Sequence, residues 1–279
     1  MTPVHFEDGR APIGVFDSGM GGLTVLAALQ NALPHEDFIY LGDTARLPYG
    51  TKSATAVQQY TLEAARFMER QGVKLMVIAC NTATAQALHS TRAALPDIPC
   101  LGVIEPGAQA ATHHLPDPMG NDVICVWATE GTARSGIYES AIHARRPNAR
   151  VVMQPCNLLV ALTEEGWTRG KEADAVLSRY LSELPAGCGT LVLGCTHFPL
   201  LAPALRHLLP KGITLIDSAA ATAEAVKGFL GQTDRQKKGS RAGQTTFYVT
   251  DAPERFDRLS AGFLGQKIRT RAACIGIGC

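Results

Sequence analysis

Two segments of this 279-residue chain set a cysteine between an apolar run and a group of hydroxyl and amide donors: Leu75-Met-Val-Ile-Ala-Cys80-Asn81-Thr82 and Leu191-Val-Leu-Gly-Cys195-Thr196-His197. A thiol where a strand gives way to a helix meets the positive end of the helix dipole. Its thiolate is favoured there, and an intrinsic pKa of about 8.5 can fall towards neutrality. Taken singly, a cysteine at a strand end is more often a packed core residue. Two in matching settings reverse that reading and leave a nucleophile, a redox pair or an acid–base pair as the choices.

Three further polar segments follow apolar runs. Asp17-Ser18-Gly19-Met20-Gly21-Gly22 has glycines for tight turns and N–H groups able to hold an anion. A nucleotide loop is its alternative, but the order is neither G-x-G-x-x-G nor G-x-x-x-x-G-K-[ST]. The Asp17 carboxylate would repel a phosphate and suits an ammonium group, so the segment fits a zwitterion. Asp43-Thr-Ala-Arg46-Leu-Pro48-Tyr49-Gly50 fixes a turn beside an aromatic wall, or is only a surface turn with an Asp–Arg pair. Thr129-Glu130-Gly131-Thr132 repeats the loop-to-helix pattern, with helix capping as its plainer role.

Two opposed thiols, a carboxylate and many neutral donors suit stereoinversion at a Cα–H centre. One base removes the proton from one face and a conjugate acid returns a proton to the other. Cysteine serves both roles because thiol and thiolate are both accessible near neutral pH. The carbanion needs stabilising, and donors preorganised around the α-carboxylate supply it, about 2.7–4 kcal/mol for one well-placed donor in oxyanion sites.

These segments must be positioned by the elements around them. Pro12–Phe16, Phe38–Leu41, Leu75–Ala79, Cys100–Val103, Val123–Trp127, Val151–Met153, Thr190–Leu193, Thr214–Ile216 and Thr246–Val249 are short, Val/Ile/Leu-rich and apolar on both faces, as buried parallel strands are. Helical patterns alternate with them, among them Leu23–Ala32, Ser53–Gln71, Thr84–Leu95, Gly107–His114, Gly131–Ala144, Leu158–Gly166, Glu172–Glu183 and Pro199–Leu208. In the second, Ala56, Tyr60, Ala64, Phe67 and Met68 form a core-facing stripe. This βα alternation predicts an α/β protein with parallel sheets flanked by helices, whose ligands bind beyond the carboxyl ends of the strands. The two Cys segments, and more faintly Ile13–Gly19 and Cys125–Gly131, echo each other as two related halves would. The break is expected near Gly102–Pro106, with two closely packed domains.

The chain is long enough for one large or two ordinary domains. A net charge of +1 and 18% charged residues give no reason to expect nucleic acid or an acidic membrane as partner. The basic cluster Arg235, Lys237, Lys238 and Arg241 reads as a solvated loop. Met1–Ala11 has Glu7, Asp8 and no apolar run, so no signal peptide is expected, and no window approaches a spanning helix. The eight cysteines, Cys80, Cys100, Cys125, Cys156, Cys188, Cys195, Cys274 and Cys279, are irregularly spaced and read as free thiols in a reducing cytoplasm. Paired zinc-ligand spacings are absent, so no metal is expected.

In their order, D-S-G-x-G-G-L, T-A-R-x-P-Y-G, C-N-T-A-T, T-x-G-T and G-C-T-H-F-P-L-L resemble the glutamate racemase family from about Pro12 to Gly265. The resemblance implies two similar parallel-sheet α/β domains related by a pseudo-two-fold axis, with the active site at their interface and no cofactor. The division expected is 11–103 plus 217–269 for the Cys80 side and 104–216 for the Cys195 side. It further implies that Cys80 deprotonates D-glutamate and Cys195 L-glutamate, assisted by Asp17 and His197 respectively. Asp17, Ser18, Pro48, Tyr49, Gly50, Asn81, Thr82, Thr129, Thr196 and His197 match substrate-holding positions. The family's auxiliary Glu falls at Glu164, in a stretch where both family prolines are replaced and where Glu165 competes for the register; Cys156 there is structural. Supply of D-glutamate for bacterial peptidoglycan, a cytoplasmic location and a homodimer are implied as well.

The rivals are a sister racemase acting on aspartate or a hydantoin, and, from another class, a non-catalytic regulator that binds a partner protein. A cysteine hydrolase would need one Cys–His pair and no second thiol.

Overall fold

The computed structural model describes residues 9–113, 123–265 and 267–276. Residues 1–8, His114 and Cys279, on which parts of the readings above fall, lie outside them. Along the chain run β1 (Ile13–Asp17), α1 (Leu23–Ala32), β2 (Phe38–Gly42), α2 (Ala54–Arg70), β3 (Leu75–Ile78), α3 (Asn81–Ala94), β4 (Cys100–Gly102) and α4 (Ile104–His113). There follow β5 (Val123–Ala128), α5 (Glu130–Arg134), α6 (Ile137–His143), β6 (Arg150–Pro155), α7 (Asn157–Glu164), α8 (Lys171–Leu181), β7 (Cys188–Gly194), α9 (Ala202–Leu208) and β8 (Thr214–Asp217). The chain then continues through α10 (Ser218–Gln232), β9 (Thr245–Val249), α11 (Pro253–Leu264) and β10 (Thr270–Ala272).

All strand pairs are parallel, in two sheets ordered β10-β9-β2-β1-β3-β4 and β6-β5-β7-β8. The order β2-β1-β3-β4 is thus repeated as β6-β5-β7-β8, and the two halves echoed in the sequence are the same fold used twice. Helices cover both faces of each sheet, which is why the strands are apolar throughout rather than alternating. After β8 the chain returns to the first sheet through α10, which packs on α1 and α4.

Several boundaries differ from the predicted ones for local reasons. The Gly131–Ala144 pattern is two helices, because Gly136 takes φ 67° between α5 and α6. Helix α3 starts three residues early, at Asn81, because Cys80 is its N-cap: Sγ accepts from the Ala83 N–H at 3.4 Å. On α2, Ala64, Phe67 and Met68 are buried as expected, while Ala56 and Tyr60 are only half-buried and Val57 and Thr61 complete the face. The edge strand β10 was not anticipated, since Thr-Arg-Ala carries no apolar pattern.

Two readings are corrected. Cys274 is disulfide-bonded, not free; irregular spacing argues against a framework of bridges but not against a single one. The basic loop is not merely solvated. Lys237 N–H donates to Glu36 Oε1 at 2.7 Å and its ammonium to Asp37 Oδ2 at 2.5 Å, while Arg235 donates to the Lys74 carbonyl. The cause is an ion pair beneath it, Lys74 with Glu36, buried and in need of further partners.

Candidate active site

The sheets present the loops after β1, β3, β5 and β7 to one another. In each sheet these loops leave two adjacent interior strands, β1 and β3 in one and β5 and β7 in the other, beyond whose carboxyl ends open α/β sheets bind ligands. Glycines let the halves approach closely on both sides. A Cβ on Gly50 would fall 2.7 Å from Thr129 Cβ, and one on Gly21 would fall 2.3 Å from Thr196 Oγ1. Between them lies a narrow cleft. Cys80, Asn81, Thr82, Ser18, Pro48, Tyr49 and Gly50 line it from the first half. Thr129, Glu164, Cys195, Thr196 and His197 line it from the second. Both thiols therefore face one space.

Cys80 is 5% exposed, with Ser18 Oγ at 3.4 Å from Sγ. Burial and then the Asp17 carboxylate push its pKa up to about 12, against the hydrogen bonds from Ser18 and Ala83. The expectation of a thiol lowered towards neutrality is thus overturned for Cys80 in this closed cleft. The helix terminus is present, but desolvation outweighs it.

Cys195 has a different neighbour. Its Sγ stands 3.8 Å from His197 Nδ1. His197 Nε2 lies 3.2 Å from Glu164 Oε1, within ion-pair range but out of line for a hydrogen bond. Burial opposes charge on the imidazole, yet Cys195, Glu164 and Asp17 outweigh it and hold its pKa up to about 10. Phe263 of α11 packs edge-on against the ring, at 6.2 Å between centroids and 82° between planes. Glu164 faces this group, whereas Glu165 is exposed.

Asp17 does not line the cleft. It is wholly buried one layer back, where Gly19 N–H donates to Oδ1 at 2.9 Å and the Thr196 hydroxyl to Oδ2 at 3.3 Å. Burial raises its pKa against His197 and the backbone donors. Asp17 acts on the cleft through its charge and through Thr196.

The remaining walls are held by hydrogen bonds between elements. Thr82, Thr129 and Thr132 join their hydroxyls in a triangle with sides of 2.9, 3.0 and 3.2 Å that bridges α3 and α5. Thr129 also caps α5, so both roles weighed for it are present. Tyr49 donates to Asp43 Oδ2 at 2.5 Å, and Arg46 and Thr250 donate to the same carboxylate. Asp43 is fully buried, so the surface-turn alternative for this segment falls.

The family model described as Asp/Glu/Hydantoin racemase matches residues 13–226. The chain belongs to that family. Among the racemase family's curated members, the glutamate racemase of Geobacter metallireducens is 46% identical over 92% of this chain and 93% of its own. The crystal structure of the Francisella tularensis glutamate racemase in complex with D-glutamate has a TM-score of 0.87 at 34% identity, covering 95% of this chain and 98% of that one. A glutamate racemase isoform of Bacillus anthracis has a TM-score of 0.89 at 32% identity, with coverages of 95% and 98%.

Within this racemase cleft, sequence reasoning passed over Leu47 and Val160, which also line it, and over Thr132 as a member of the hydroxyl triangle, while Gly19 lines it as its turn suggested. Thr132 had a signal, since it sits three residues beyond Thr129 across one turn of a short helix. Leu47 and Val160 had none, being ordinary apolar residues whose place follows from packing alone. Cys156 is fully buried, with its thiol donating to the Gln154 carbonyl, a structural role.

Proposed function

We propose that this protein is an isomerase that interconverts L- and D-glutamate, using Cys80 and Cys195 as its two acid–base groups on opposite faces of the substrate. The observation that carries it is that two thiols from equivalent turns of a repeated fold line one cleft with amide and hydroxyl donors between them. The full-length likeness to glutamate racemases favours glutamate over aspartate or a hydantoin.

In this reading, residues 11–103 plus 217–269 and residues 104–216 form two domains that close on the substrate. Ser18, Asn81, Thr82, Thr129 and Thr196, with the Pro48-Tyr49-Gly50 turn, hold its carboxylates and ammonium. Cys195 as thiolate takes the Cα proton of L-glutamate, and Cys80, a thiol at neutral pH, delivers its own to the other face. The D-isomer runs the same steps in reverse, with Cys80 as base. His197 and Glu164 serve the Cys195 side and Asp17 the Cys80 side. No cofactor enters, because the thiols supply both base and acid and the donors stabilise the carbanion. The product serves peptidoglycan synthesis and cell shape in the cytoplasm, and the enzyme works as a homodimer. No helix among the described residues is long and apolar enough to cross a membrane.

Circular dichroism of the pure protein with L-glutamate tests the reading. The optical signal decays to zero without added cofactor, and Cα deuterium appears in the product in heavy water. A constant signal with both enantiomers overturns it.

A further inference from the structure

Tyr138 lies outside every motif above, yet it touches the residue beside each thiol. Its side chain is fully buried on α6, in the second half of the molecule. The hydroxyl donates to Asn81 Oδ1 at 2.8 Å, and Asn81 directly follows Cys80 on α3 of the first half. The ring lies in a slot walled by glycines. A Cβ on Gly107 would come 3.3 Å from the hydroxyl, and one on Gly194, which directly precedes Cys195, would come 3.1 Å from Cε2. Ser218, at the start of α10 where the chain crosses back to the first sheet, flanks the same slot, its Cβ 3.1 Å from the Cβ placed on Gly107.

The effect on Asn81 is specific. An amide can present oxygen or nitrogen in either direction, and its partners decide which. The phenol has one proton, and it goes to Asn81 Oδ1. The Asn81 Nδ2 group is then left without a hydrogen-bond partner, although Asn81 is 3% exposed and lines the cleft. A buried unpaired donor is costly unless something else takes it up. Such a donor, on a cleft-lining residue next to Cys80, is suited to an anionic oxygen of a bound ligand.

We infer that Tyr138 is a positioning residue for the racemisation: it turns the Asn81 amide so that Nδ2 faces the substrate, and by packing on Gly194 it ties the Cys80 turn to the Cys195 turn across the domain interface. The inference rests on the racemase reading. Burial keeps the phenol protonated well above its ordinary range, so the donor persists over the whole working pH.

A double-mutant cycle with Tyr138→Phe and Asn81→Ala tests it, the phenylalanine keeping the ring in its slot. In the otherwise native enzyme, Y138F lowers kcat/KM for glutamate by about tenfold, as expected for one buried acceptor left unmade. In the N81A background the same change costs less than about twofold, because the two act as a unit. Full activity in Y138F, or losses that simply multiply, overturns the inference; a purely structural role would move the melting temperature without this coupling. A crystal structure of Y138F at about 1.2 Å or better reads the same point without turnover. The Asn81 amide is expected to rotate, and an unmoved amide overturns the inference. Should the native protein not racemise glutamate, the functional reading alone fails, and this structure decides the role of Tyr138.

Discussion

Cys195 Sγ stands 3.8 Å from His197 Nδ1, whereas Cys80 Sγ has the neutral Ser18 hydroxyl at 3.4 Å. The two thiols come from equivalent turns but not from equivalent fields. One faces an imidazole that retains its proton up to a pKa of about 10; the other is pushed up to about 12 by burial first and by the Asp17 carboxylate second. Under the proposed two-base mechanism the bases are unlike, and the consequences are measurable.

Cys80→Ala and Cys195→Ala each remove one of the two proton carriers. Each lowers kcat by a factor of about 10²–10⁴ or more in both directions, read by circular dichroism with either enantiomer. Near-native racemisation by either single variant excludes the two-thiol mechanism.

Asp17→Asn removes the negative charge that raises Cys80. The Cys80 pKa then falls, so its alkylation by iodoacetamide at a fixed mildly alkaline pH speeds up, measured peptide by peptide with mass spectrometry. Unchanged or slower labelling would show that Asp17 does not act on Cys80 through its charge.

The raised His197 pKa links stability to pH. A group raised in the folded state from 6.5 to about 10 contributes stability that is complete below pH 6.5 and lost as pH climbs through 10. Over that window the native protein should lose several degrees of Tm more than His197→Gln in a scanning-fluorimetry series. Parallel curves for the two proteins contradict the charged imidazole.

Gly50→Ala places a methyl group 2.7 Å from Thr129 Cβ, so the halves cannot close fully on that side. Catalytic efficiency drops by about 10², the usual cost of misplacing reacting groups by an ångström. Because neither sheet's core is touched, Tm changes little. A drop in Tm with unchanged kinetics would reverse the reading of this contact.

Much of the architecture is written locally. Strands such as Leu75–Ile78 and Leu191–Leu193 are legible because a strand covered on both faces has to be apolar along its whole length, and the polar residues that follow mark where the covering stops. Helix ends are less legible. The start of α3 depends on a cysteine acting as a cap, and the break between α5 and α6 on one glycine with positive φ.

The residue types needed for the chemistry, and their places at the ends of strands, were determined by the sequence alone, since each lies within a few residues of its own strand and turn. What Asp17, Asp43 and Tyr138 do was decided only by the tertiary structure. Asp17 is displaced from the cleft to a position behind Thr196, Asp43 becomes the buried anchor of Tyr49, and Tyr138 reaches Asn81 from 57 residues away. The same holds for protonation. A helix N-terminus lowers a thiol pKa and can be read from neighbours in the chain, but desolvation depends on what covers the thiol, and the Asp17 carboxylate reaches it from the neighbouring strand β1. At Cys80 those distant terms are the larger ones.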